Sequence, residues 1–424
     1  MRTNVAIFFS LLAIYLANGR AHPEVDCLAA PYEAWSLAKH ASLDLRGYPR
    51  FAFLLGYHVL ECPDGTWASR RPPGTALTAL PVIAPLALLR NAPPRETSMD
   101  QLGKVAAAMM VAAAGVFFFL VCRRIAPEGA WPALILFSLG TCLWSVASQA
   151  LWMHGPATLW LCVALYLLTH TCADRPLISA GAGLALGLAV LARPTTGLFG
   201  AATAVTLLVH QRWRVAWLAL GAALPLGFLC VLNTIRFGSP LMGGYTVDNW
   251  QETPPLWLGL GGLLVAPSRG LFVYSPALLL IPVGMRMLRR SDSPAFHVRG
   301  LFITWLAAAG ATVLFYARWY EWRGGWCFGP RFLCETMPIL CLLFALAYTA
   351  LRAVWQRWAA WGMIALSVVV HFAGVFGYSG YQEWQRRHAL ADQGRCLFTL
   401  HDSQIEAHFR AVVGNFTGTA RPKP

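Results

Sequence analysis

Residues 104–122 read KVAAAMMVAAAGVFFFLVC. After the opening lysine no charged residue occurs in this stretch. At about 1.5 Å per residue, a helix of this length approaches the ~30 Å thickness of a bilayer's hydrocarbon core. Working outward, similar apolar blocks lie at 4–18, 130–147, 156–170, 177–192, 196–209, 215–233, 271–288, 300–317, 335–350 and 357–377, separated by short connections with Arg, Pro and Gly. Hydrophobic residues make up 57% of the 424 and charged residues only 12%, about half the charged share of soluble domains. No sustained strand alternation occurs, which argues against a transmembrane barrel. The sequence therefore predicts an all-α polytopic membrane protein with about eleven transmembrane helices.

One further block, 75–89 (TALTALPVIAPLALL), decides the orientation. It is short, follows Pro72-Pro73 and contains Pro81 and Pro85. If it lies along the membrane surface, Arg2, Arg123, Arg124, Arg175, Arg212, Arg214, Arg286, Arg289, Arg290, Arg299, Arg352 and Arg357 all fall on the cytoplasmic side, and the later short outer loops hold fewer, Arg193, Arg236, Arg269, Arg318, Arg323 and Arg331. If it spans, the counts reverse against the positive-inside rule. It is therefore read as a periplasmic juxtamembrane or re-entrant helix, with the N-terminus inside and the C-terminus outside. The outer side then carries a first loop of residues 19–103, a second of about 233–270, a third of 318–331, and a tail. The transmembrane domain is expected over 1–380 and the periplasmic tail over 381–424. Residues 1–21 suit either a cleaved signal peptide or a retained first helix, and the latter is preferred. The net charge of +14 would suggest nucleic acid in a soluble chain. Here the arginines of the membrane connections are accounted for by orientation and lipid phosphate. The eleven cysteines show no metal-ligand spacing. Cys122, Cys142, Cys162 and Cys230 read as packing residues, and Cys27 and Cys62 share a loop where they are able to pair in an oxidising compartment.

The densest chemical signal is RWYEWRGGWCFGPR, residues 318–331. Aromatics at this depth commonly form interfacial belts, but here they alternate with arginines and glycines. Glycine lets backbone approach a ligand closely. Arg323 and Arg331 can fork onto phosphate oxygens, and Trp319, Trp322 and Trp326 offer faces for a sugar. In the first loop, Arg70 and Arg71 precede the Pro72-Pro73 step and can hold a phosphate or simply snorkel at the interface. Upstream, Asp26, Glu33 and Asp44 are carboxylates just outside the membrane, each either a solvated surface group or a general base. Asp248 and Glu252 are lesser candidates. His154, in a short outer loop, is either a structural residue or a substrate contact. Polar residues inside the spans are few and form no chain of ionisable groups across the bilayer, which weakens a transport reading.

The chain resembles the GT-C superfamily of membrane glycosyltransferases, in particular the branch holding protein O-mannosyltransferases and lipid A aminoarabinose transferases. The likeness rests on the helix Tyr32–Lys39 ending near Asp44, the Arg71-Pro72-Pro73 step where the family has Lys-Pro-Pro, the short apolar helix that follows, and the Trp/Gly/Arg loop 319–331. The family's acidic pair ahead of the tyrosine is replaced here by Leu28 and Ala29, so the nearest carboxylates are Asp26 and Glu33. The resemblance implies an inverting glycosyltransferase of the bacterial inner membrane, taking a sugar from a polyprenyl (undecaprenyl) phosphate and passing it to an envelope glycan, lipid or protein at the periplasmic face. Asp26 or Glu33 would be the catalytic base. Arg70, Arg71, His154, Trp319, Trp322, Arg323, Trp326 and Arg331 would bind substrate. No cofactor is expected, and the carboxylates are too scattered to predict a metal. The rivals are a lipid or polysaccharide transporter and a non-catalytic protein that binds lipid-linked sugar.

Overall fold

The computed structural model of the protein describes residues 2–170, 175–244, 253–290, 298–325, 327–377, 397–401 and 403–417. The chain divides into two compact units, Met1–Val121 with Ala147–Gln251 and Gly300–Ala308, and Cys122–Val146 with Glu252–Arg299 and Ala309–Pro424.

In the first unit, α1 (Arg2–Leu16) is followed by α2 (Val25–His40), a 3₁₀ turn over Pro49–Leu54, and a two-stranded antiparallel hairpin of β1 (Val59–Glu61) and β2 (Trp67–Ser69). Then come α3 (Gly74–Leu89) and the long α4 (Glu96–Ile125). α3 places Ala76, Ala79, Ile83 and Ala87 at helical spacing, and all four are buried in one cluster with Leu28, Ala34 and Trp35 of α2. That stripe explains why a segment with two internal prolines still folds as a helix: its face is held by packing. At its start Gly74 touches backbone, since a Cβ there would lie 2.3 Å from the main chain of Leu191 and Ala192. The first loop is also clamped to the beginning of α4. The Arg50 guanidinium donates to both oxygens of Asp100, at 2.9 and 3.1 Å, a bidentate geometry that fixes direction as well as distance. Lys104, which opens the apolar run 104–122, is buried and donates to the Asn18 side chain and the Arg20 carbonyl.

The same unit continues with α6 (His154–Leu168), α7 (Pro176–Ala192), α8 (Gly197–His210) and α9 (Trp213–Phe237). α7 and α9 pack backbone to backbone. A Cβ on Gly183 would sit 1.9 Å from the Leu218 carbonyl oxygen, and one on Gly221 would sit 1.8 Å from that of Ala180. Small residues at such crossings are how helices associate where lipid removes the hydrophobic drive between them. The other side of α9 exposes Leu220, Leu224, Val231 and Ile235, as a lipid-facing surface would.

The second unit contains α5 (Ala130–Leu139), α10 (Leu256–Val265), α11 (Leu271–Tyr274), α12 (Ile281–Arg289), α14 (Met337–Ala350), α15 (Val354–Phe376) and the C-terminal α16 (Gln404–Thr417); the unit boundary falls within α13 (Arg299–Ala317). Two blocks expected to be continuous spans are broken. Block 130–147 stops as α-helix at Leu139 and closes with a π turn over Leu143–Ala147. Block 271–288 divides into α11, a 3₁₀ turn starting at Pro276, and α12. Proline 276 has no N–H to continue the helix. The freed backbone is buried and satisfied by side chains, as non-helical backbone inside a membrane protein must be. Ser275 donates its hydroxyl to the Gly140 carbonyl at 2.7 Å, and His371 of α15 bridges Ser145 and Ser275 at 2.8 and 3.3 Å. Among the described residues, five helical segments are long and apolar enough to cross a membrane: α4, α9, α13, Arg331–Ala350 and α15. Six shorter apolar helices accompany them. The chain is thus a mostly helical, multi-pass membrane protein.

Candidate functional site

Asp26 and Glu33 stand seven residues apart on α2. Two helical turns bring them to one face, about 10 Å apart along the axis. Each meets an arginine from a different element of the first unit. Arg71, just after β2, donates to Asp26 in a short hydrogen bond. His58, at the start of β1, joins them: its Nδ1 is 3.8 Å from the same Asp26 oxygen and 3.5 Å from the Arg71 guanidinium. Arg70 points elsewhere and donates to the Gly56 carbonyl at 3.0 Å. The hairpin that positions all three is tied to the end of α2 by Asp44, whose carboxylate accepts the Trp67 and Arg46 backbone N–H groups.

Glu33 is 1% exposed. Arg236, from the last turn of α9, approaches its Oε1 to 3.7 Å, close enough for attraction but too far for a hydrogen bond. That oxygen has no hydrogen-bond partner. Burial, opposed by the Arg236 charge and a backbone hydrogen bond from Ser69, pushes the Glu33 carboxyl up to about 7. An apolar enclosure penalises the charged form, and the nearby cation recovers part of it. The two carboxylates of α2 therefore differ: Asp26 is engaged by a cation, whereas Glu33 is held near neutrality with a free oxygen.

His154 begins α6 and is buried, its Nε2 3.4 Å from Arg193 and its ring beside Trp152. Arg193, directly before the 3₁₀ turn Pro194–Thr196, is itself buried. Cys27 and Cys62 are both buried, and no disulfide joins the two.

The aromatic and glycine segment belongs to the second unit. Gly324, Gly325 and Gly329 all take positive φ, at 83°, 59° and 69°, a region L side chains rarely enter. The loop they shape folds around two buried side chains, Arg269 and Gln404. Arg269 donates to the carbonyls of Cys327 and Gly325 and to Gln404 Oε1. Gln404, at the first turn of α16, accepts from the Tyr274 hydroxyl and the Gly329 N–H, each at 3.0 Å, and donates to the Cys327 carbonyl at 2.8 Å. Trp322 is spent on packing, its six-membered ring lying against Gly262 of α10. Trp319 stacks on Phe315 with centroids 6.1 Å apart and is half-buried. Arg323 pairs with Glu321 at 3.5 Å, and the buried Arg331 guanidinium lies 5.0 Å over the Phe332 ring. Trp326, Asp248 and Glu252 lie outside the described residues.

Four residues outside the sequence-based candidate set organise these sites: His58, Arg236, Arg269 and Gln404. Arg236 and Arg269 are visible in the sequence only as two more outer-loop arginines. His58 and Gln404 carry no local signal, because each acts on partners far away in the chain. Among the described residues, no group of three or more His, Cys, Asp or Glu is arranged to hold a metal.

No family model matches the sequence, and no curated protein matches it. Two solved structures share its fold. ArnT from Cupriavidus metallidurans bound to undecaprenyl phosphate superposes with a TM-score of 0.54 at 14% identity, over 99% of this chain and 78% of that one. The apo form of the same protein superposes with a TM-score of 0.55 at 14% identity, over 96% and 76%. The chain therefore shares its overall fold with ArnT.

Proposed function

We propose that this chain is an inverting membrane glycosyltransferase that takes its sugar from a polyprenyl phosphate, with Glu33 as the catalytic base. The observation that carries the proposal is the state of Glu33: buried, near neutrality, one oxygen unpartnered, and faced by Arg236. A base that titrates near its working pH is able both to accept and to release a proton. In the reaction, Glu33 takes the proton from an acceptor hydroxyl or amine as that atom attacks the anomeric carbon. The bond to the phosphate oxygen breaks on the opposite face, and the polyprenyl phosphate leaves as an anion. Arg71 supplies positive charge for that anion, which requires the phosphate to compete with Asp26 for its guanidinium. The GT-C-like fold, and undecaprenyl phosphate bound in the ArnT structure that shares it, support a lipid-linked donor. The reading also takes the chain as crossing the bacterial inner membrane about eleven times, with α2 and the hairpin at the periplasmic face.

The test is transfer from an undecaprenyl-phosphate-linked sugar by purified protein. Glu33→Gln should lower turnover by roughly 10²–10⁴-fold while undecaprenyl phosphate still binds. Full turnover by this variant would remove Glu33 from the mechanism.

A second reading, a non-catalytic protein that binds lipid-linked sugar, is favoured by Leu28 and Ala29 in place of the acidic pair and by the Asp26–Arg71 ion pair. It predicts donor binding with no transfer by the unaltered chain.

A further inference from the structure

Two cysteines of the second unit meet. Cys142 lies in the turn between α5 and the π turn, and Cys334 in the 3₁₀ turn Arg331–Thr336 that leads into α14. They are 192 residues apart in sequence, yet their Sγ atoms are 3.1 Å apart. Both are at most 1% exposed. A disulfide needs its sulfurs roughly 1 Å closer, at ~2.05 Å. Cys142 is a single helical residue that opens the π turn after α5, and Cys334 lies in a 3₁₀ turn, so a side-chain rotation with a small backbone adjustment can close that gap. No metal-ligating group surrounds them among the described residues.

We propose that Cys142 and Cys334 form a structural disulfide in the mature protein. The bond rests on the orientation in the preceding section, which puts the end of block 130–147 and the root of loop 318–331 on the oxidising side of the membrane. It forms by thiol–disulfide exchange with a protein disulfide as the oxidant. One thiol, as thiolate, attacks the oxidant's disulfide and forms a mixed disulfide. The second thiolate attacks the bound sulfur, closes the Cys142–Cys334 bond and releases the oxidant as its dithiol. The two protons, relayed by solvent, and the two electrons both end on the oxidant's dithiol. Exchange takes place during insertion, before α14 packs and hides both sulfurs. The consequence is local. Cys334 follows Arg331 by three residues, so a bond there anchors the backbone that carries the Arg331 guanidinium and the end of the glycine loop.

The experiment is peptide mapping of the full chain purified from membranes. It is denatured without reductant, and free thiols are alkylated before digestion. The expected result is a peptide pair joined through Cys142 and Cys334 in most molecules, lost on reduction and lost in Cys334→Ser. Reduction should also lower the apparent melting temperature of the unaltered chain and leave that of the Cys142→Ser/Cys334→Ser double variant unmoved. Alkylation of both cysteines in unreduced, denatured protein overturns the proposal. A reporter fusion at residue 325 separates the causes. If the fusion reports the outer side and both thiols still alkylate, the disulfide alone fails. If it reports the cytosol, the orientation fails with it.

Discussion

Glu33 and Asp26 are carboxylates on one face of the same helix, yet their partners differ. Asp26 has Arg71 in direct contact, whereas Glu33 has a cation at 3.7 Å and little solvent. The stability consequence has a definite sign. With the folded carboxyl raised from 4.5 to about 7, Glu33 favours the folded state fully below pH ~4.5, and this contribution is lost as pH rises to ~7, by at most about 3 kcal/mol. Glu33→Gln should therefore unfold at a similar temperature to the unaltered protein at pH 4.5 and at a higher one at pH 8, measured by thermal unfolding in detergent. Equal melting temperatures at both pH values would show that Glu33 is not held neutral. Transfer activity should rise through pH ~7 as the base ionises. Arg236→Gln should move that rise to higher pH, because the cation that favours the carboxylate is gone, and Arg236→Lys should restore it in large part. A pH–rate profile of the three proteins checks this, and identical profiles would exclude Arg236 as the charge partner.

At the scale of elements, the helices are held by close backbone approach as much as by apolar side chains. Gly221 of α9 lies where a Cβ would be 1.8 Å from the Ala180 carbonyl, while Gly227 on the same helix has nothing within 4 Å. Gly221→Ala should destabilise the protein by about 1–3 kcal/mol, and Gly227→Ala should be neutral or slightly stabilising. Comparing melting temperatures of the two variants tests the crossing directly, because helix propensity alone would stabilise both. The glycine loop shows a different principle. It draws its shape from Gln404 on α16, a side chain outside the loop. Gln404→Ala would leave the Gly329 N–H without that acceptor, while the Tyr274 hydroxyl keeps the Ser268 carbonyl, a loss of ~1–3 kcal/mol for the buried group left unsatisfied. It should make loop 324–331 markedly more sensitive to proteolysis in otherwise folded protein.

At the scale of the molecule, membrane character is legible from composition alone, since 57% hydrophobic residues in long blocks admit few other folds. Orientation is a matter of arginine distribution. Reporter fusions at residues 64 and 325 should both read the outer side, and fusions at 124 and 290 the cytosol. A cytosolic signal at 64 would place Glu33 away from any outer-leaflet donor. The helical blocks were legible because lipid imposes one rule on every span: satisfy the backbone internally along a length set by the bilayer. The breaks at Gly140 and Pro276 were not, because serine and histidine side chains from distant segments are what make those interruptions tolerable.

Sequence by itself determined the class of fold, the position of the apolar segments and the region in which carboxylates and arginines gather, because these follow from hydrophobic length, proline and glycine placement, and charge. Only the tertiary structure decided which carboxylate is engaged and which is left near neutrality. Arg236 lies 203 residues beyond Glu33 (236 − 33), and no local pattern records that the end of α9 returns to α2. The ionisation of a buried group depends on what surrounds it in space, and that is set by packing after the chain has folded.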